Sequence, residues 1–431
     1  MKNEIIRCKC IDMSVDGQGI CKADGLVIFV KGMIVGEEAD VKIIADKKNY
    51  AFAIIDKMIT PSKYRIESSC PISYKCGGCD YRYIDYHYQL KLKKDVLINT
   101  FKEGYKINDI IEDDDPYYYR NKVQIPVREQ KMGFYRKFSN DIVEFDDCLI
   151  ESKIANEIIR DLKPLLVNLK IDKFFRHILI KHAQKTDEVM IGFIVNDFNF
   201  PHLSEVVDLL INKYSNIKSI ILNLNNKDTN VILGDKEKVI YGRDYINDEY
   251  DGIKVKLSLK SFYQVNYKQM LKLYSKIKEF ANLKESDEVL DLYSGIGTIT
   301  LYLARYVKHI SGVEIVEPAV LNAIDNAKMN NIDNADFILA DASKGMDEYI
   351  KNKDVVIVDP PRKGISKELI DAFVSNKVNR IVYVSCNPAT LARDLELLEE
   401  YYEIGDIQPV DMFPWTTHVE CVVGMQRKGN K

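Results

Sequence analysis

Three things are missing from this 431-residue chain, and each narrows what it can be. It has no apolar run near the roughly 20 residues that a membrane helix needs. Its first residues, MKNEIIRCKC, contain no apolar segment of the secretory kind, so a cytoplasmic protein with no membrane partner is expected. It also has no excess of basic charge. The net charge is -4, so any nucleic-acid surface must be local. Internal repeats and low-complexity tracts are absent too. What remains is an ordinary globular composition, with 46% hydrophobic and 29% charged residues. The length suits two to four domains.

Residues 1–59 read as short strands broken at Asp16-Gly17, Asp24-Gly25 and Gly36. IIRCKCIDM, GLVIFVKGM, EEADVKIIAD and YAFAIIDKM are four such runs. About five strands in so short a stretch predict an OB-like β-barrel. A linker at Thr60-Pro61-Ser62 opens an α+β central region, 60–260, with a helix from about Tyr86 to Glu103. From 261 to 431 the pattern becomes strand, glycine turn, helix, strand, helix. Alternation of that kind predicts a Rossmann-like α/β domain with ligands at the strand C-termini. A helix at Tyr267–Leu283 leads into it.

The turn after strand EVLDL is Asp291-Leu-Tyr293-Ser-Gly295-Ile-Gly297-Thr298. Its glycines allow a ligand close to the backbone, but the third glycine of a dinucleotide motif is missing. Glu314 ends the next strand, where a carboxylate can take both ribose hydroxyls. Equally, it stands just before Glu317-Pro318, where acids favour a helix start. Asp341 follows the strand after that and can accept the amine of adenine. Asp359 precedes Pro360-Pro361 at another strand end. Acids after successive strands describe a nucleoside site of the S-adenosyl-L-methionine type.

Cys386, in Ser385-Cys386-Asn387-Pro388, ends strand RIVYV. A lone cysteine is commonly a small buried hydrophobe, but the proline stops this strand and leaves the thiol in a loop. As a nucleophile it should have a lowered pKa. In His418-Val419-Glu420-Cys421, strand alternation would put His418 and Glu420 on one face. Cys421 then belongs to the core. Cys8 and Cys10 share a strand face and read as packing residues.

Four more cysteines, Cys70, Cys76, Cys79 and the distant Cys148, allow tetrahedral zinc or a [4Fe-4S] cluster. The C-x2-C spacing by itself leans to zinc. Arg120, Lys122 and Arg128 alternate with apolar residues after Tyr117-Tyr118-Tyr119. That strand face could meet RNA phosphates, or be an ordinary solvated face.

Taken together, DLYSGIGT, DPPRKG, SCNP, HVE and SFYQVN (261–266), with the barrel and the cysteine cluster, resemble the TrmA/RumA/RlmCD family of RNA (uracil-5-)-methyltransferases. The resemblance spans nearly the whole chain and is closest to RumA-type members. It implies a TRAM domain for the barrel and a SAM-dependent methyltransferase that makes 5-methyluridine. Uracil C5 is a poor nucleophile until a thiolate adds at C6. On this resemblance Cys386 is that nucleophile and Glu420 is the base that removes the C5 proton. Gln264, Tyr293, Glu314, Asp341 and Asp359 bind the cofactor, with Asp359 between it and the target base. Phe262 stacks near the flipped uracil. Thr298 stands where some members have asparagine. The resemblance also shifts the metal toward [4Fe-4S] on Cys70, Cys76, Cys79 and Cys148. It favours 23S rRNA as partner, because tRNA-specific members typically lack both barrel and cysteines. A monomer is expected. The rival readings are a tRNA T-loop uracil-5-methyltransferase and a non-catalytic iron-sulfur RNA-binding protein.

Overall fold

Apolar residues at alternate positions close the first sixty residues into a barrel. In the computed structural model, which describes residues 2–23, 25–227 and 229–429, β1 (Ile5–Met13) buries Cys8, Cys10 and Met13. The expected turn residue Asp24 lies outside the described residues. β2 (Gln18–Ala23), β3 (Leu26–Lys31), β4 (Glu38–Asp46) and β5 (Tyr50–Thr60) complete it in the order β1-β2-β3-β5-β4. Pairing of β1 with β4 removes the free edge. β2 is not among the runs named from sequence. Its Gly19 is the reason: a Cβ there would sit 2.8 Å from Cys10 Sγ, so close packing in the wall excludes a larger side chain.

A cysteine-bearing loop leads to α1 (Tyr86–Thr100), capped by Asp85, whose carboxylate accepts from Tyr88 N. The central sheet contains β6 (Lys122–Arg128), β7 (Lys131–Tyr135), β8 (Ile142–Glu144), β9 (Phe175–Ala183), β10 (Glu188–Val195), β11 (Ile217–Leu224) and β12 (Lys236–Gly242). Their order is β12-β11-β10-β9-β6-β7-β8. α2 (Lys153–Asn168) and α3 (Leu203–Lys213) cover one face. A hairpin, β13 (Tyr245–Tyr250) and β14 (Ile253–Ser258), joins the two halves. Its Ile246, Tyr250 and Val255 share one core with Leu179 and Met190 of the central sheet and with Leu273 and Tyr274 beyond it.

The last region holds α4 (Tyr267–Ala281), β15 (Glu288–Leu292), α5 (Thr298–Ala304), β16 (His309–Glu314), α6 (Glu317–Met329), β17 (Ala335–Leu339), α7 (Asp347–Ile350), β18 (Val355–Val358), α8 (Lys367–Ser375), β19 (Arg380–Ser385), α9 (Pro388–Leu398), β20 (Tyr402–Val410) and β21 (Glu420–Arg427). Strand order is β17-β16-β15-β18-β19-β21-β20. Val355–Val358 is buried throughout, as a central parallel strand covered on both faces requires. The sheet is not wholly parallel. β21 runs antiparallel between β19 and β20. Its first residue therefore lies at the edge where the parallel strands end. Among the described residues no helix is long and apolar enough to cross a membrane.

Candidate functional site

Three neighbouring strands bring the reactive groups together. Asp359 follows β18, Cys386 follows β19, and Glu420 opens β21. The last paired residues of the β19–β21 ladder are Ser385 and Cys421. One step further, Cys386 and Glu420 leave the ladder side by side. Asn387 ends the strand by capping α9, its side chain accepting from Ala389 N, and Pro388 starts that helix. The expected shared strand face of His418 and Glu420 is not formed. The strand begins at Glu420, so His418 lies outside it and is exposed, while Glu420 is only 5% exposed. Cys421 is fully buried in the core, as expected.

The electrostatics correct a second expectation. The Cys386 thiol is not lowered. Burial pushes it up to about 11, helped by the Glu420 and Asp359 carboxylates, while the Arg362 guanidinium opposes them. Burial also raises Glu420 well above the carboxylate range, with Asp359 adding to the effect. Burial lifts Asp359 itself to about 7. A thiol and two acids thus face one another with a single guanidinium to balance them. Arg362 belongs to the quoted DPPRKG run, yet no role was read from it. Its carbonyl accepts from Asn387 Nδ2 at 2.9 Å, which ties the two loops together.

The neighbouring turn is shaped as a ligand cradle. Tyr293, Gly295 and Gly297 all have positive φ, of 66°, 56° and 81°. A tyrosine held there is strained, and such strain gathers at ligand sites. A Cβ on Gly297 would lie 2.7 Å from the Phe337 ring, whereas none of the neighbouring atoms lies within 4 Å of one on Gly295. Gly297 gives close packing and Gly295 gives open space. Asp291 Oδ1, Tyr293 Oη and Ser294 Oγ are buried without partners, which a bound polar molecule would relieve. Glu314 accepts from Gly295 N at 3.0 Å and from Val316 N at 2.8 Å, so it stands at the turn as expected. Asp341 is held by the Ser343 hydroxyl and amide, which lower its pKa. Gln264 is buried, and Phe262 is exposed. Thr298 keeps a polar contact of its own, 2.7 Å from the Tyr274 hydroxyl. These residues fit a nucleoside-bearing cofactor.

Cys70, Cys76, Cys79 and Cys148 line one cavity of about 250 Å³. The Asn156 amide bonds the backbone of Cys148 on both sides and fixes its loop. Among the described residues, no group of three or more His, Cys, Asp or Glu side chains is close enough to hold one metal ion. Arg120 and Lys122 line that same cavity. This corrects the strand read as a phosphate-binding face. Arg120 turns inward to Glu151 at 3.3 Å, and Lys122 is lowered by burial, leaving Arg128 exposed. Alternation predicted which residues share a face, but not that the face would be covered.

The single tryptophan lies in the connection just before Glu420. Trp415 is buried, with the Arg82 guanidinium 4.4 Å from its ring centroid, and packs beside Cys79 and Cys148.

A family model described as tRNA (Uracil-5-)-methyltransferase matches residues 85–428, and a TRAM domain model matches residues 6–55. An RNA methyltransferase of Halalkalibacterium halodurans is 40% identical over 99% of this chain and 98% of its own length. One from Clostridium acetobutylicum is 41% identical over 95% and 94%. Among solved structures, the Pyrococcus abyssi tRNA (uracil-54, C5)-methyltransferase in complex with S-adenosyl-L-homocysteine superposes with a TM-score of 0.80. It is 29% identical and covers 97% of this chain and 99% of its own.

Proposed function

Since the chain belongs to the tRNA (uracil-5-)-methyltransferase family, we propose that it methylates C5 of a flipped uridine in 23S rRNA through a covalent adduct on Cys386. Its membership makes it a SAM-dependent RNA methyltransferase acting on uracil C5. The rest is our reading. The observation that carries it is the convergence of Cys386, Glu420 and Asp359 at one sheet edge beside the cradle.

The chemistry follows from that placement. Cys386 Sγ, as thiolate, adds to uracil C6, and the electron pair moves to an enolate whose carbon terminus is C5. Gln264, Tyr293, Glu314, Asp341 and Asp359 would hold S-adenosyl-L-methionine, which would supply an electrophilic methyl on a positive sulfur whose charge would favour ionised forms of the thiol and acids nearby. The bond from that sulfur to the methyl would break as C5 takes the methyl, leaving S-adenosyl-L-homocysteine. Glu420 then removes the C5 proton, the C6–S bond breaks, and the thiolate returns. Burial raises the proton affinity of Glu420, so once ionised it takes the C5 proton strongly. The target base must leave its stack to reach Cys386.

Phe138, 84% exposed, Tyr74, Lys31 and Lys137 line a groove of about 790 Å³ between barrel and central region. Exposed aromatics with lysines alongside suit unpaired nucleotides. The four cysteines, spaced C-x5-C-x2-C with a distant fourth and lining one cavity, suit a [4Fe-4S] cluster. The Pyrococcus likeness favours a second reading, a tRNA uracil as target.

One experiment separates these. Wild type, Cys386→Ala and Glu420→Gln are incubated with methyl-tritiated SAM and either 23S rRNA or tRNA transcripts, then digested for 5-methyluridine. Product from 23S rRNA with wild type alone, and an RNA adduct trapped by Glu420→Gln, are expected. Product from tRNA alone would select the second reading. Full activity in Cys386→Ala would remove the thiol from the mechanism.

A further inference from the structure

Glu420 has a chemical task in that reading, and its buried carboxylate must be aimed to perform it. Its direction must come from the backbone that delivers it. β20 ends at Val410 and β21 begins at Glu420, so the connection 411–419 sets where the carboxylate points.

One buried cation holds both ends of that connection. Lys93 Nζ, from α1, donates to Asp411 Oδ1 at 2.6 Å, Phe413 O at 3.1 Å and His418 O at 3.0 Å. The Lys93 and Asp411 side chains are 1% and 0% exposed. The Tyr86 hydroxyl donates to Asp411 Oδ2 at 2.7 Å and accepts from Asp113 N at 2.9 Å. Asn266 Nδ2 donates to Asp113 Oδ2 at 2.7 Å and to Met412 O at 3.4 Å. Asn266 stands two residues beyond Gln264, whose carbonyl accepts from Asn121 Nδ2.

A buried ion pair is a poor way to gain stability, because apolar residues of the same volume do as well or better. It is a good way to fix geometry, since the ammonium directs its protons at three acceptors. A catalytic constellation needs its groups held within about 0.5 Å. We propose that Lys93, Asp411 and Tyr86 are positioning residues that clamp the 411–419 connection and so aim Glu420 at the C5 proton. The assignment rests on Glu420 as the base of the methylation reading.

The test uses full-length protein, unlabelled SAM and substrate RNA carrying tritium at uracil C5. The double variant Lys93→Met/Asp411→Leu removes both charges and leaves neither buried alone. Its turnover should fall about 10- to 100-fold, with the RNA KM and SAM affinity within about twofold of wild type. The denaturant-resistant protein–RNA adduct should accumulate, as in Glu420→Gln, because methyl transfer outruns proton removal. A merely structural role would lower adduct and turnover together. Wild-type turnover, or slow turnover without adduct, overturns the clamp. If the double variant does not fold, Tyr86→Phe decides. It removes one hydrogen bond, and several-fold slower turnover with adduct is expected, whereas unchanged turnover overturns the proposal. Absence of tritium release from wild type and of adduct in Glu420→Gln would instead defeat the methylation reading beneath it.

Discussion

The raised thiol of Cys386 makes a prediction that can be read without any RNA. With burial, Glu420 and Asp359 holding it near 11, about one thiol in a thousand is ionised at pH 8. Only the thiolate is alkylated. The rate of iodoacetamide labelling at Cys386, followed by peptide mass spectrometry, should therefore rise tenfold per pH unit from 7 to 9.5 without a plateau. Two substitutions should move it in opposite directions. Asp359→Asn removes a carboxylate that titrates near 7 and is largely ionised at pH 8. Labelling at pH 8 should therefore speed up, by about tenfold for each unit the thiol pKa falls. Arg362→Gln removes the opposing cation and should slow labelling by a similar factor. A wild-type plateau below pH 8.5, or a faster rate in Arg362→Gln, would refute the electrostatic account.

The same Asp359 carboxyl should cost stability. Its folded pKa is raised from 3.8 to about 7. Its stabilising contribution is thus full below 3.8 and lost as pH rises through about 7. Calorimetry should find Asp359→Asn several degrees more stable than wild type at pH 8, with the gap narrowing at pH 5; a gap that widens there contradicts it. Gly297→Ala puts a Cβ 2.7 Å from Phe337 at a φ of 81°. It should cost about 1–3 kcal/mol of stability and weaken SAM binding in titration calorimetry, where unchanged affinity would count against the cradle. Phe138→Ala and Tyr74→Ala should each raise the RNA KM about 5- to 150-fold, at about 1–3 kcal/mol per stacked base, and leave kcat alone. Steady-state kinetics decides, and a loss confined to kcat would place these aromatics elsewhere in the mechanism.

Much of the site was legible because it depends on short-range features. A strand that ends in Asp359-Pro360 or Cys386-Asn387-Pro388 announces its own end, and strand ends in a parallel sheet are where ligands go. The helix at Tyr86 was legible for a similar reason, since its cap and turns are local. What escaped depends on partners far along the chain. Lys93 meets Asp411 across 318 residues, and no periodicity reports such a pairing. Arg120 looked like an RNA contact because alternation gives a face without saying what covers it; Glu151 covers it. The thiol pKa was misjudged because chemistry demands a thiolate, whereas the folded surroundings, read alone, favour the protonated form. His418 was assigned to a strand that starts two residues later.

The place of β21 in the sheet has a consequence for biosynthesis. It is last in the sequence but is inserted between β19 and β20. During synthesis the N-terminal parts emerge first, so the Cys386 loop leaves the ribosome before Glu420 does. Until β21 inserts, β20 lacks the one strand that it pairs with in this sheet among the described residues. On the mechanism proposed above, a nascent or C-terminally truncated chain would own the nucleophile but lack the base that releases what it captures. The order of the sheet would then make completion of the polypeptide a condition for turnover.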